Sequence, residues 1–164
     1  MVKALQAKLK NIKLFITDID GVLTDGGMYY GDHGEALKKF NTRDGMGLEL
    51  LRKAGIKVAV ITGEKSITNR KRMEKLKIEE FYEGIKDKLE ILDLLKEKYS
   101  LRYGQIVYIG DDINDIPCLK KAGFSISVNG CVPQVSKIVD YITKLRGGEG
   151  AVREACDIIL ASRR

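Results

Sequence analysis

Short apolar runs alternate with amphipathic segments along most of the chain. The runs KLFITD (13–18), IKVAVITG (56–63) and QIVYIGD (105–111) are almost uniformly apolar until they end in polar residues or glycine. Between and after them, RDGMGLELLRKA (43–54), SITNRKRMEKLKI (66–78) and DKLEILDLLKEKYS (87–100) read as amphipathic helices, with a short strand EFYEG (80–84). The second half continues with PCLKKA, FSISV, PQVSKIV, DYIT and a closing helix GAVREACDIILASRR. Strands that are apolar at every position must be buried on both faces, so the alternation predicts a parallel sheet with helices on either side. One segment breaks the rhythm. GGMYYGDHGEALKKFN (26–41) reads as two short strands around the turn GDHG, a β-hairpin projecting from the sheet. No internal repeat or low-complexity tract is present, and the only prolines are Pro117 and Pro133.

The length of 164 residues fits one domain spanning 1–164, and leaves no room for a large inserted one. A chain of this size buries roughly 70% of its unfolded surface, so one core suffices without a disulfide or structural metal. Cys118, Cys131 and Cys156 are odd in number and widely spaced, and are expected as free thiols. No apolar run nears the ~20 residues that cross a bilayer. The N-terminal MVKALQAKLKN is a lysine-studded amphipathic stretch without a signal-peptide core, so a cytoplasmic protein with no membrane partner is expected. Lys and Arg (29) exceed Asp and Glu (23), a net charge of +6. The densest basic stretch, EKSITNRKRMEKLK, is interrupted by Glu64 and Glu74 and carries no aromatic residue for base stacking, which argues against nucleic acid.

Ligands of open α/β sheets bind beyond the carboxyl ends of the strands, so polar residues that end apolar strands are the first candidates. LFITDIDGVLTDG places Asp18 at a strand tip and Asp20 two residues on; VAVITGE ends in Thr62 and Gly63; IKDKLEIL offers Lys88 at a helix start, with Lys86 as competitor. IVYIGDDINDIP supplies Asp111, Asp112 and Asp115. Five carboxylates in one cleft raise one another's pKa values and call for a cation. With neither histidine nor cysteine among them, the oxygen-only set favours Mg²⁺ over zinc or copper. A carboxylate at the first strand tip could then attack phosphorus, the second could act as acid and base, and Thr62, Lys88 and backbone N–H groups could neutralise the transferring oxygens. Setting the five acids aside leaves 18 acids against 29 bases, an acidic pocket in a basic surround suited to a small anionic substrate.

DIDGVLTDG, ITG, the lysine of KDK and GDDIND together resemble, in order, all four motifs of the haloacid dehalogenase superfamily. More narrowly, DGVLTDG, the hairpin ending in KKFNTRDG, GDDINDIP and GGEGAVRE are similar to small capless phosphatases of sugar-acid phosphates. The resemblance implies an α/β fold, a three-layer Rossmann-like parallel sheet with a projecting hairpin and no cap domain. It further implies Asp18 as nucleophile and Mg²⁺ ligand, Asp20 as acid/base whose backbone carbonyl also meets the metal, and Asp111 as the remaining protein ligand. Thr62 and Lys88 match the phosphate-binding positions, and Asp112 and Asp115 would orient metal-bound water and Lys88. Members of the subgroup form homotetramers in which the hairpin and C-terminal tail of one subunit help close the site of its neighbour.

Substrate signals divide. Glu64 and Lys75 resemble phosphatases of nonulosonate (KDN or sialic acid) 9-phosphates, whereas Arg43 and Arg153 resemble those of 3-deoxy-manno-octulosonate (KDO) 8-phosphate; the expectation leans to nine carbons, with Gly63 a further substrate-binding candidate. Arg72, Lys75 or Arg153 could hold the substrate carboxylate. The alternatives of another class are a phosphoacceptor domain and a non-catalytic interaction module. His33 is expected to be exposed in the hairpin turn, Asp25 to shape the turn into the hairpin, and GGEG to act either as a linker or as closure of the site.

Overall fold

In the computed structural model, which describes residues 8–163, a six-stranded sheet runs in the order β5-β4-β1-β6-β7-β8, and every pairing is parallel. The strands are β1 (Leu14–Thr17), β4 (Lys57–Ile61), β5 (Glu80–Tyr82), β6 (Ile106–Ile109), β7 (Phe124–Asn129) and β8 (Tyr141–Arg146). Residues 1–7 of the N-terminal lysine-studded stretch lie outside the described residues.

Successive side chains of a strand point to opposite faces, and here both faces are covered. Phe15, Val58, Val60, Val107, Ile109, Phe124 and Ile126 face one core layer, closed by α1 (Thr42–Lys53), α2 (Ile67–Lys75) and the closing helix, α6 (Ala151–Ala161). Leu14, Ile16, Ala59, Ile61, Ile106 and Tyr108 face the other, closed by α3 (Lys88–Lys98), α4 (Ile116–Lys121) and α5 (Pro133–Ser136). Cys118 and Cys156 are buried and Cys131 is half-buried, all as free thiols.

Helix starts follow local chemistry. Asn41 accepts from the Arg43 N–H at 2.8 Å, Ser66 from Asn69 at 3.3 Å and Asp87 from Leu89 at 2.9 Å, satisfying N–H groups that the helix itself cannot. Helix α6 is different: its N-cap is Gly150, and the acceptor comes from α1, where buried Asp44 takes the Arg153 N–H at 2.8 Å.

The hairpin forms as expected from β2 (Tyr29–Gly31) and β3 (Gly34–Leu37), with exposed His33 in its turn. Its base is closed by a bridge between Thr24 and Phe40, and Asp25 accepts the Gly27 N–H at 3.0 Å, shaping the entry turn. GGEG is no free linker. A Cβ on Gly147 would lie 1.8 Å from the Gly21 carbonyl oxygen, and the Gly148 N–H donates to Val22 at 3.1 Å. These glycines let the turn before α6 press directly against the back of the loop that follows β1.

Candidate active site

The chain leaves β1 for β4 on one side of it and later returns to β6 on the other, so the switch point of the sheet lies at the tip of β1. Three strand ends therefore meet: Thr17 pairs with Val60 and Ile109, which brings Asp18, Thr62 and Asp111 to one edge. A cavity of about 190 Å³ opens there, lined by Asp18, Asp20, Thr62, Gly63, Glu64, Asp111, Asp112 and Asn114.

Asp18 is buried. One carboxylate oxygen accepts the Ile19 N–H at 2.7 Å and the other the Lys88 ammonium at 2.8 Å. Burial, reinforced by the neighbouring Asp115 charge and only partly opposed by Lys88, pushes the carboxyl up to about 7. Asp111 is likewise pushed up to about 7 by burial and by the charges of Asp115 and Asp112.

Lys88 lies beneath the cavity with its side chain 1% exposed, 2.7 Å from Asp115 Oδ1. Burial alone would lower the pKa of the ammonium, but the charges of Asp18 and Asp115 outweigh it and hold it above its ordinary value. Lys86, its competitor in the sequence, is exposed.

Asp115 has every oxygen occupied: Oδ1 accepts from Lys88 and from the Tyr108 hydroxyl at 2.6 Å, and Oδ2 from the Asp111 and Asp112 N–H groups at 3.1 and 3.4 Å. Glycine makes this approach possible, since a Cβ on Gly110 would meet Asp115 Cγ at 2.3 Å. Gly21, with φ +83°, plays the matching part for Asp111, whose Oδ2 would lie 2.1 Å from an added Cβ.

Oxygens of Asp18, Asp111 and Asp115 gather within 4.8 Å of one another. Because each Asp115 oxygen already takes two donors, the remaining acceptor capacity is on Asp18, whose oxygens take one donor each, and on Asp111. Asp111 Oδ1 and Asp20 Oδ2 are buried without any hydrogen-bond partner. Buried carboxylate oxygens lacking donors are costly unless a cation or a ligand proton meets them, and an oxygen-only set fits a hard divalent ion. Asp112 accepts the Ile113 N–H at 2.6 Å, capping the short 3₁₀ turn Ile113–Asp115.

The other sequence candidates are placed elsewhere. Arg43 and Arg153 border a separate concavity of about 610 Å³ with Leu145 and Ile158, and Arg153 Nε donates to both Asp157 oxygens at 2.9 and 3.0 Å. Arg72 lies over the Phe40 ring and donates to the Asn41 carbonyl at 3.2 Å, and Lys75 borders a groove with Glu49, Arg52 and Lys53. Of the substrate-binding candidates, therefore, Glu64 and Gly63 line the cavity and the four cationic residues do not.

Three contributors escape the strand-end reading. Tyr108 carries a signal, because a tyrosine in a strand buried on both faces needs a partner for its hydroxyl. Lys38, from the end of the hairpin, reaches Asp20 Oδ1 at 2.7 Å; nothing in the pair Lys38-Lys39 tells which of the two turns inward. Asn114 enters the cavity lining without a distinguishing pattern.

A buried carboxylate at the switch point of a parallel sheet, held by a buried lysine and faced by a second carboxylate loop, fits one class of protein, a phosphoric monoester hydrolase. A family model described as haloacid dehalogenase-like hydrolase matches residues 42–123. The chain belongs to that family. It is 43% identical over 154 residues to the 3-deoxy-D-manno-octulosonate 8-phosphate phosphatase of Escherichia coli K12, covering 94% of this chain and 82% of that one. The crystal structure of the corresponding phosphatase from Moraxella catarrhalis, in complex with magnesium ion, phosphate ion and KDO, superposes with a TM-score of 0.95 at 40% identity, covering 99% of this chain and 94% of that one. A cobalt-bound form from Haemophilus influenzae gives a TM-score of 0.92 at 41% identity, covering 95% of this chain and 91% of that one.

Proposed function

We propose that this chain hydrolyses the phosphate monoester of an eight-carbon 3-deoxy-2-keto sugar acid, KDO 8-phosphate, with Mg²⁺ as cofactor. The observation that carries the reaction is Asp18, buried at the tip of the central strand with Lys88 at 2.8 Å. The carbon number rests on relatives named for the octulosonate, which favour the eight-carbon reading over the nine-carbon leaning drawn from Glu64 and Lys75.

Asp18 and Asp111 would hold Mg²⁺ together with the Asp20 carbonyl, and the ion when bound supplies charge neutralisation for phosphate oxygens. Asp18 attacks phosphorus, forming an aspartyl-phosphate as the bond to the sugar oxygen breaks, and Asp20 gives its proton to that oxygen. Asp20, ionised again, takes a proton from the water that hydrolyses the acyl phosphate, which returns Asp18 and releases inorganic phosphate. Lys88 and Asp115 hold the nucleophile in place, Thr62 and the backbone N–H groups beside it bind the phosphate, and Asp112 orients water.

The chain is further read as a homotetramer whose neighbouring subunits close the open cavity and bring Arg43, Arg72 or Arg153 toward the sugar carboxylate. A single subunit leaves the phosphate exposed, and water exclusion strengthens every charge interaction in the site. The test compares kcat/KM for KDO 8-phosphate and a nonulosonate 9-phosphate. A preference of more than tenfold for the former, ~1.4 kcal/mol of transition-state binding, is expected; the reverse preference refutes the substrate. Undiminished turnover by Asp18→Asn refutes the mechanism.

A further inference from the structure

The hairpin, read from the sequence as projecting, is fastened to the site of its own subunit at two points. Lys38, just after β3, places its ammonium 2.7 Å from Asp20 Oδ1 and 3.2 Å from Glu35 Oε2, and its side chain is 0% exposed. Glu35, in β3, accepts in turn from the hydroxyl of Ser66, which caps α2 beyond the Thr62 loop. One chain of contacts, Asp20–Lys38–Glu35–Ser66, thus spans the hairpin from the loop after β1 to the loop after β4.

Burying a lysine is costly, and a buried ion pair is often no more stabilising than an apolar residue of the same volume. The placement instead does something to Asp20. Lys38 holds Oδ1, Oδ2 is buried without a partner, and the carboxylate so fixed, its side chain 26% exposed, lines the cavity.

We infer that Lys38 is a positioning residue, which locks the Asp20 carboxylate in the orientation that addresses the oxygen bridging phosphorus and the sugar. The inference rests on the reading of Asp20 as the acid that protonates the leaving alkoxide. It has a consequence that a merely structural lysine lacks. Loss of a well-placed acid harms substrates whose leaving group needs a proton, and spares those whose leaving group departs as a stable anion.

The experiment compares wild type, Lys38→Met, Lys38→Arg and Asp20→Asn on KDO 8-phosphate, which leaves as an alkoxide, and on p-nitrophenyl phosphate, which leaves as a phenolate. Lys38→Met is expected to lower kcat/KM on the sugar phosphate by roughly tenfold or more, against the 10²–10⁴-fold typical of losing an acid outright. On the aryl phosphate it should change kcat/KM by less than threefold, because kcat/KM reports formation of the aspartyl-phosphate and not its later hydrolysis, which both substrates share; Lys38→Arg should recover most of the loss. An equal fall on both substrates, or no fall on either, overturns the positioning role while leaving the phosphatase reading intact. Should Asp20→Asn itself show no dependence on the leaving group, the acid role of Asp20 fails and the inference with it. If wild type releases phosphate from neither substrate, the phosphatase reading fails first. Lys38→Gln, which keeps a hydrogen-bond donor but shortens the reach, replaces Lys38→Met if that variant does not fold, and is judged by the same ratio.

Discussion

Lys88→Met isolates the electrostatics under the site. Methionine fills nearly the same volume, so packing around α3 is preserved and the change is chiefly the loss of one ammonium. Lys88 lies 2.7 Å from Asp115 and 2.8 Å from Asp18, and those carboxylate side chains are 0% and 7% exposed. Removing one partner of a buried pair leaves an uncompensated charge, a loss of about 3–5 kcal/mol. Asp115 keeps the Tyr108 hydroxyl and two backbone N–H groups, so the burden falls mainly on Asp18. For a domain of this size a kilocalorie shifts Tm by about 2–4 °C, which predicts a drop of roughly 6–20 °C. The deficit should depend on pH. Asp18 is already pushed up to about 7 with Lys88 in place, and without it is pushed higher. A carboxyl raised in the folded state contributes stability fully below its unfolded value of 3.8, and that contribution is lost as pH rises through the folded value. The variant should therefore lie closest to wild type in mild acid and fall away above neutrality. Calorimetric melts with EDTA at pH 5.5 and 8 test this. A shift below about 3 °C at pH 8, or one that is the same at both values, refutes the reasoning.

Two further outcomes are expected. The Asp18 and Asp111 carboxyls, both raised from 3.8 to about 7, make the metal-free protein lose stability as pH rises through 7, whereas Mg²⁺ needs them ionised. The Mg²⁺-induced rise in Tm should accordingly be larger at pH 8 than at pH 6, with proton release measurable by titration calorimetry near pH 6.5; an equal rise counts against it. Asp44, raised to about 6 by burial despite the N–H groups it accepts at the start of α6, should tolerate Asn better than Ala. Asp44→Ala removes the cap and should lower stability by about 1–2 kcal/mol. Asp44→Asn keeps an acceptor without the buried charge and should gain on wild type as pH rises through 6. Urea midpoints at pH 5 and 8 decide, and identical behaviour of the two variants contradicts the capping role.

The strand ends were legible for a simple reason. A parallel sheet needs apolar strands and crossovers, so where VAVITG or IVYIGD turns polar the chain has reached the sheet edge, and all such edges lie on one side. Asp18, Asp20, Thr62, Gly63, Glu64, Asp111 and Asp112 all line the cavity. Lys88 was preferred to Lys86 only through the motif resemblance; strand-end chemistry left the two open, because backbone geometry at the start of α3 decides which ammonium is buried between Asp18 and Asp115. The cationic candidates Arg43, Arg72, Lys75 and Arg153 were inferred without a strand end to place them, and they lie outside the cavity lining.

By itself the sequence determined what periodicity and strand-end chemistry encode: a doubly covered parallel sheet, an interrupting hairpin, and a hydrolase site rich in carboxylates. Only the tertiary structure decided how distant segments touch. The close approach of Gly147 to the Gly21 carbonyl, the capping of α6 by Asp44 and the burial of Lys38 against Asp20 join residues 109 to 126 and 18 positions apart in the chain. Hydrophobic patterning specifies which face of an element is buried. It does not specify which polar atom meets which, because hydrogen bonds and ion pairs of about 3 Å depend on side-chain placement finer than any repeat can carry.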